Sequence, residues 1–476
     1  MHFSKSLYVA MGKGNWRKLW SDVKESISGS ERDFTDIPMG KAILLLAVPM
    51  VLEMVMESVF AVVDIFFVSK LGADAVAAVG LTESVMTLVY AVAFGLGLAT
   101  TALVSRRVGE KKPKEAARQA VQAIITALAV SALIAVPGVV FSDELLLLMG
   151  ASTQLVENYG NYAAIMLGAN GIVMLLFVCN AVFRGAGDAA MAMRVLCIGN
   201  LVNIVLDPLL IFGIGPFPEM GVAGAAVATN IGRGLAVLYQ LYVLFWGKAR
   251  VDISKVSFKP SFKHIRHLLN ISLGGIAQSL IATLSWIFMM RLISRFGSSA
   301  VAGYTIAIRI IVFALLPSWG LSNAASTLAG QNLGANRPER AEKAVWSVAR
   351  INFICMGLIG LVLIIWPRLF FSVFTGDQAI IDAGIPCLRI VSYGFAFYAA
   401  GMVMTQAFNG AGDTRTPTWI NIIAFWIIEI PLAWLLSVHL EWNQHGVYYG
   451  IVIAESSLTV IALFMFMKGN WKKQQI

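Results

Sequence analysis

The chain reads as an all-α integral membrane protein: twelve transmembrane helices in two six-helix lobes that repeat each other in parallel orientation. Three observations predict this. Hydrophobic residues make up 58% of the 476 and charged residues 13%, against about 25% charged in soluble domains, too few for a polar skin. Twelve runs reach the roughly 20 apolar residues that a span requires. The sequence also matches itself half a chain later.

The runs are 43–68, 76–104, 119–141, 160–182, 190–213, 222–246, 268–292, 300–328, 345–371, 388–408, 417–438 and 446–467. The loops between them alternate in charge. Arg106, Arg107, Lys111, Lys112, Lys114 and Arg118 crowd one loop, and Lys248, Arg250, Lys255, Lys259, Lys263 and Arg266 another. Arg337, Arg340 and Lys343 crowd a third, while Asp143, Glu144, Glu157 and Glu219 mark the opposite side. The basic loops are expected in the cytoplasm with both termini, in the inner (plasma) membrane; Arg291 and Arg295 are the exceptions. The net charge of +9 is thus mostly topological and gives no support for nucleic acid binding. Cys179, Cys197, Cys355 and Cys387 lie in or beside apolar runs and read as thiols rather than a disulfide set. Leu7–Met11 is too short for a signal-peptide core. Trp16, Leu19, Trp20, Val23 and Ile27 recur at helical spacing among basic residues, which suggests an interfacial helix.

At an offset of 225 residues Ser69 meets Ser294, Gly72 Gly297, Gly95 Gly320, Gly109 Gly334, Pro113 Pro338 and Ala116 Ala341. Gly185-Ala186-Gly187-Asp188 meets Gly410-Ala411-Gly412-Asp413 without a gap. Six spans per repeat is even, so the halves share one orientation and are expected to enclose a cavity. The division is 1–40 as a cytoplasmic or interfacial segment, 41–246 and 268–468 as the lobes, 247–267 as a basic linker and 469–476 as a tail. This is transporter architecture. No nucleotide-binding, metalloprotease or nucleophile-elbow motif appears, so no enzyme and no cofactor is expected. His264 and His267 read as solvated, not as metal ligands.

Ionisable residues at membrane depth are costly and mark function. Glu53, Glu57 and Asp64 share one face of the first span, which must line a wet cavity or a cation site. Pro49 leaves the Leu45 carbonyl without its helical donor, a place for a bend. In the fifth span Asn203 and Asp207 face the same way, and Pro208 releases the Ile204 carbonyl. This donor set suits Na⁺, and the same carboxylate, desolvated, suits a proton. In the second half the seventh span offers Gln278 but no carboxylate before Arg291, leaving Glu429 and Glu455, so coupling is placed in the first half. Arg233 and Arg309 read as structural ion-pair partners. Methionines and aromatics such as Met54, Trp286, Met289 and Tyr398 suit adaptable packing.

The runs Val63–Gly72, Gly109…Pro113…Ala116 with its repeat, Arg184–Asp188 and Asn203–Pro208 resemble the multidrug and toxic compound extrusion (MATE) family over about residues 40–470. The resemblance implies a V of two lobes and export of amphipathic, often cationic compounds against Na⁺ or H⁺. From its archaeal and DinF-like branch it implies a cation site of Asp64, Asn203, Asp207 and Thr229, with the Ala225 carbonyl as an extra ligand. Pro49 matches the proline of the bending first helix, and Asn180 a polar position facing the same lobe. The acid of the seventh span used by the NorM-like branch is missing here. Glu53, Glu57 and Gln278 are added as residues of the substrate cavity or coupling path. The expectation is a monomeric drug/cation antiporter of small amphipathic substrates in the bilayer. A major facilitator-type exporter lacks the Arg184 and Asn203–Pro208 motifs, and a flippase of the same superfamily would favour arginine over this acidic face. A receptor or scaffold would not need buried acids.

Overall fold

The computed structural model describes residues 13–29, 32–247 and 249–476, with side chains from Trp20 onward. Leu7–Met11, the side chains of Trp16 and Leu19, and Lys248 therefore lie outside the described residues. Helix α1 (Lys13–Ser28) is followed by α2 (Met39–Ser69), α3 (Ala73–Gly109), α4 (Pro113–Val140), α5 (Ser142–Leu148), α6 (Thr153–Gly168), α7 (Asn170–Ala186), α8 (Ala189–Phe212) and α9 (Val222–Trp246). The second repeat has α10 (Phe262–Ile293), α11 (Ser298–Gly334), α12 (Pro338–Ile365), α13 (Pro367–Phe371), α14 (Gln378–Tyr393), α15 (Phe395–Gly410), α16 (Arg415–His439) and α17 (Asn443–Met467). No strand occurs among the described residues.

Eleven of the twelve spans are long apolar helices, with α6 and α7 forming the fourth. The tenth is the pair α14 and α15, bent by 55° at Gly394. α2 runs unbroken through Pro49, and α8 through Pro208. α16 widens into π-helical turns over 422–429 and 435–439. The four cysteines are free thiols.

The lobes meet at the basic end. From Ala91 to Ser105 nearly all of α3 is buried, whereas from Ala73 to Tyr90 one flank stays exposed. α11 does the same, buried over 320–333 and half-exposed before it. The two helices cross where they need no side chain. A Cβ on Gly109 would stand 2.0 Å from the Gln331 carbonyl oxygen, and one on Gly334 2.1 Å from that of Arg106. The two contacts are repeat images of each other, as an axis along the membrane normal requires.

The first helices of the repeats trade places at this end. Ala42, Leu46 and Met50 of α2 pack in the core of the second lobe, and Leu268 and Ile271 of α10 in that of the first. Terminal segments strap the same face. Phe34 is buried, its ring beneath the Arg250 guanidinium, while Arg337 donates to the Thr35 carbonyl at 2.7 Å and Arg340 to that of Ile37. At the other terminus Trp471 sits in the second-lobe core. Arg106 and Arg107 of the first lobe donate to the Gln474 and Ile476 backbone oxygens at 2.9 and 2.7 Å. Trp20 and Ile27 on α1 are exposed on one face, and Lys41 ties that helix to α2 through Asp22 and Glu25, both at 2.7 Å.

Candidate functional site

Helix α2 sorts its residues by face. Val55, Val59, Val62 and Phe66 form an exposed apolar stripe. At 100° per residue Glu53, Glu57 and Asp64 lie opposite it, turned from lipid into the first lobe. That lobe is built around them by α3, α7, α8 and α9.

Three polar centres result, arranged from the basic end outward. In the first, Glu53 is buried and accepts from Arg184 Nη1 at 3.2 Å and Asn180 Nδ2 at 3.3 Å, while Gln240 donates to the Asn180 carbonyl at 2.5 Å. In the second, Arg233 of α9, 9% exposed, donates to Glu57 at 3.3 Å and to the Tyr90 hydroxyl at 3.1 Å. Its guanidinium lies 4.8 Å from the Phe60 ring centre. Glu53 and Glu57, expected to line a wet cavity or a cation site, each hold an arginine, and Arg233 is the ion-pair partner it was expected to be. The Glu57 side chain remains 43% exposed.

The third centre joins α8 and α9. Asn203 Nδ2 donates to Asp207 Oδ1 at 3.0 Å and to Thr229 Oγ1 at 3.3 Å. The four-residue step from Asn203 to Asp207 puts both on one helical face, and Gly199 and Gly232 let α8 and α9 approach closely just beside them. Among the described residues no group donates to Asn203 Oδ1, Asp207 Oδ2 or Asp64 Oδ1, although all three oxygens are buried. Asp64 lies near enough for its charge to act on Asp207. Ala225, one turn before Thr229, is buried on the same side of α9. Buried oxygens without donors are costly, and a small cation or a proton relieves that cost. Among the described residues no cluster of three His, Cys, Asp or Glu could hold a metal, so any cation here would draw on amide, hydroxyl or carbonyl oxygens besides carboxylate, a set that suits a weakly held ion.

Glu83 escaped the sequence reading, yet its charge acts on Asp64 from α3. The signal was present: it is the one acid in the run 76–104. Gln278 stands apart in the second lobe, in a reciprocal amide pair with Asn409 at 3.1 Å both ways, and also donates to the Thr414 carbonyl at 3.2 Å. Glu429 accepts from Ser285 at 2.7 Å. Arg309 is exposed and makes no ion pair among the described residues.

The MatE family model matches residues 49–209 and 276–435, once in each repeat. The chain is 26% identical over 440 residues to a probable multidrug resistance protein of Bacillus subtilis, covering 92% of this chain and 95% of that one. It is 24% identical over 400 residues to a FAD transporter of Shewanella oneidensis, covering 84% and 88%. A solved outward-facing multidrug resistance MATE family transporter of the MOP superfamily superposes with a TM-score of 0.86 at 27% identity, covering 93% of this chain and 98% of that one.

Proposed function

The chain belongs to the MatE family, and on that premise we propose that it is a secondary active multidrug exporter. It expels amphipathic, cationic compounds in exchange for Na⁺ or H⁺, with its basic face in the cytoplasm of the inner membrane. One observation carries the reading: a single amide, Asn203, ties Asp207 to Thr229 while carboxylate oxygens of Asp64 and Asp207 stay buried without donors. The entering ion binds there. With the lobes closed at the basic end, the substrate leaves by the opposite side. Ion binding draws α2 toward α8 and α9, bends α2 near Pro49 and shrinks the first-lobe cavity. Exchange follows if ion and drug prefer different states of that helix.

An anionic cargo, such as that of the FAD transporter, would call for arginines open to phosphate. Arg184 and Arg233 are both engaged by glutamates, which favours cationic cargo. The test is ethidium transport in proteoliposomes with Na⁺ and pH gradients imposed one at a time. Stimulation by one gradient is expected, and stimulation by neither overturns antiport.

A further inference from the structure

Arg233 occupies an unusual place. Along α2, Glu57, Phe60 and Asp64 follow at i, i+3 and i+7 and therefore share a face. The guanidinium lies over the middle residue of the three. Glu57 and Asp64 are about 10 Å apart along the helix axis, with Phe60 between them. It now holds Glu57, whose side chain is 43% exposed, while Asp64 Oδ1 is buried with no donor among the described residues. Thr229, one turn before Arg233 on α9, belongs to the Asn203 centre. The titratable groups around the guanidinium are Glu57 and Asp64 of α2, Glu83 and Tyr90 of α3, and Tyr162 of α6.

A buried arginine without a carboxylate is strongly destabilised, so Arg233 must hold an acid at all times. Of the acids around it, Glu57 and Asp64 flank it along α2, and each faces a different cargo. Glu57 is open to the cavity, where an organic cation would lie, and Asp64 faces the coupling ion. We propose that Arg233 is a tethered cation passed between Glu57 and Asp64, the positioning residue that makes organic cation and coupling ion exclude each other. With the ion at Asp64 and Asp207, Arg233 rests on Glu57. When an organic cation takes Glu57, Arg233 turns to Asp64 and its charge ejects the ion. By reciprocity the ion weakens the organic cation by the same factor. The inference rests on the antiport reading above.

The test measures the ethidium Kd of purified protein in nanodiscs, against NaCl at fixed pH and against pH at fixed NaCl. The wild type should weaken about tenfold with whichever ion couples, within the usual range of coupling factors. In Arg233→Gln that dependence should flatten to less than about twofold (0.4 kcal/mol), while ethidium and the ion each still bind. Arg233→Lys, which keeps the charge, should restore part of it. A wild type that responds to neither ion overturns antiport and the relay with it. A responsive wild type with an equally responsive Arg233→Gln overturns the relay alone. If Arg233→Gln fails to fold, Glu57→Gln decides. It should pin Arg233 on Asp64 and weaken ion binding about tenfold with no ethidium present, read by ²²Na⁺ binding or, if the wild type responds only to pH, by pyranine-detected proton uptake. Wild-type ion affinity in Glu57→Gln overturns the relay.

Discussion

The two lobes solve one packing problem with different chemistry. In the first, Glu53 and Arg184 form an ion pair at 3.2 Å. The residues 225 positions later, Gln278 and Asn409, form a reciprocal amide pair at 3.1 Å. The paired positions are the same, while one lobe fills them with charges and the other with amides. The pattern continues outward. The positions equivalent to Glu57, Asp64, Asn203, Asp207 and Arg233 are Ala282, Met289, Ile428, Leu432 and Leu458. The second lobe therefore shows what the fold needs, and the first shows what has been added to it.

The largest expected effect tests that separation. Glu53→Gln alone leaves Arg184 in the lobe without its carboxylate and should lower stability by about 3 kcal/mol, near the lower end for a broken buried pair because Arg184 keeps some exposure. Glu53→Gln with Arg184→Asn installs the second lobe's own pair and should recover most of that loss. Thermal unfolding of the two single variants and the double variant forms a cycle. If the double variant is no more stable than the singles, the lobes are not interchangeable at this layer.

Next in size is the functional asymmetry. Asp207→Asn removes a charged ligand contributing about 2 kcal/mol and should slow gradient-driven ethidium transport about 30-fold. Glu429→Gln keeps an acceptor for Ser285 and should stay within about threefold of wild type. Comparable losses would move part of the coupling into the second lobe.

Much of this asymmetry was legible in the sequence, because a carboxylate inside an apolar run stands out. Asp64, Asn203 and Asp207 could be named from rarity and spacing. Glu83 carries the same signal, as the one acid in the run 76–104. What no linear pattern carries is which lobe a helix half joins. Periodicity gives the buried face of α2, yet nothing in it says that Leu46 and Met50 pack with the second lobe while Phe60 stays with the first. Arg233 could be read as an ion-pair partner, but that it holds Glu57, 176 residues away, and that Arg184 holds Glu53, 131 residues away, shows only in three dimensions. The bend of the tenth span at Gly394 was equally hidden, because the apolar run 388–408 passes through it.

Where the lobes touch, the comparison predicts equality. Gly109→Ala and Gly334→Ala each push a methyl group into a carbonyl of the opposite helix, and a backbone atom cannot turn aside. Each should cost about 1–3 kcal/mol of overpacking, reduced by up to about 1 kcal/mol of helix propensity gained over glycine. Thermal unfolding should give the same loss for both within about 0.5 kcal/mol. A clear difference would show that the crossing is carried more by one repeat than by the other.

The smallest effect concerns the tail. Lys472 of the tail pairs with Glu342 of the second lobe at 2.6 Å, with side chains 27% and 33% exposed, next to Trp471 in the second-lobe core. Arg107, by contrast, reaches from the first lobe to the Ile476 backbone oxygen. A partly solvated pair between the tail and one lobe gains little, because water screens it and two long side chains must be ordered. Lys472→Ala should therefore change stability by no more than about 1 kcal/mol and leave ethidium transport unaltered. Arg107→Ala loses a contact that spans the lobes and should shift the balance between states open to either side. That shift can be read as a changed distance between labelled cysteines on the basic ends of α3 and α11. If Lys472→Ala moved that distance as far as Arg107→Ala, the tail would act through the second lobe alone, and its bridge to the first would be incidental.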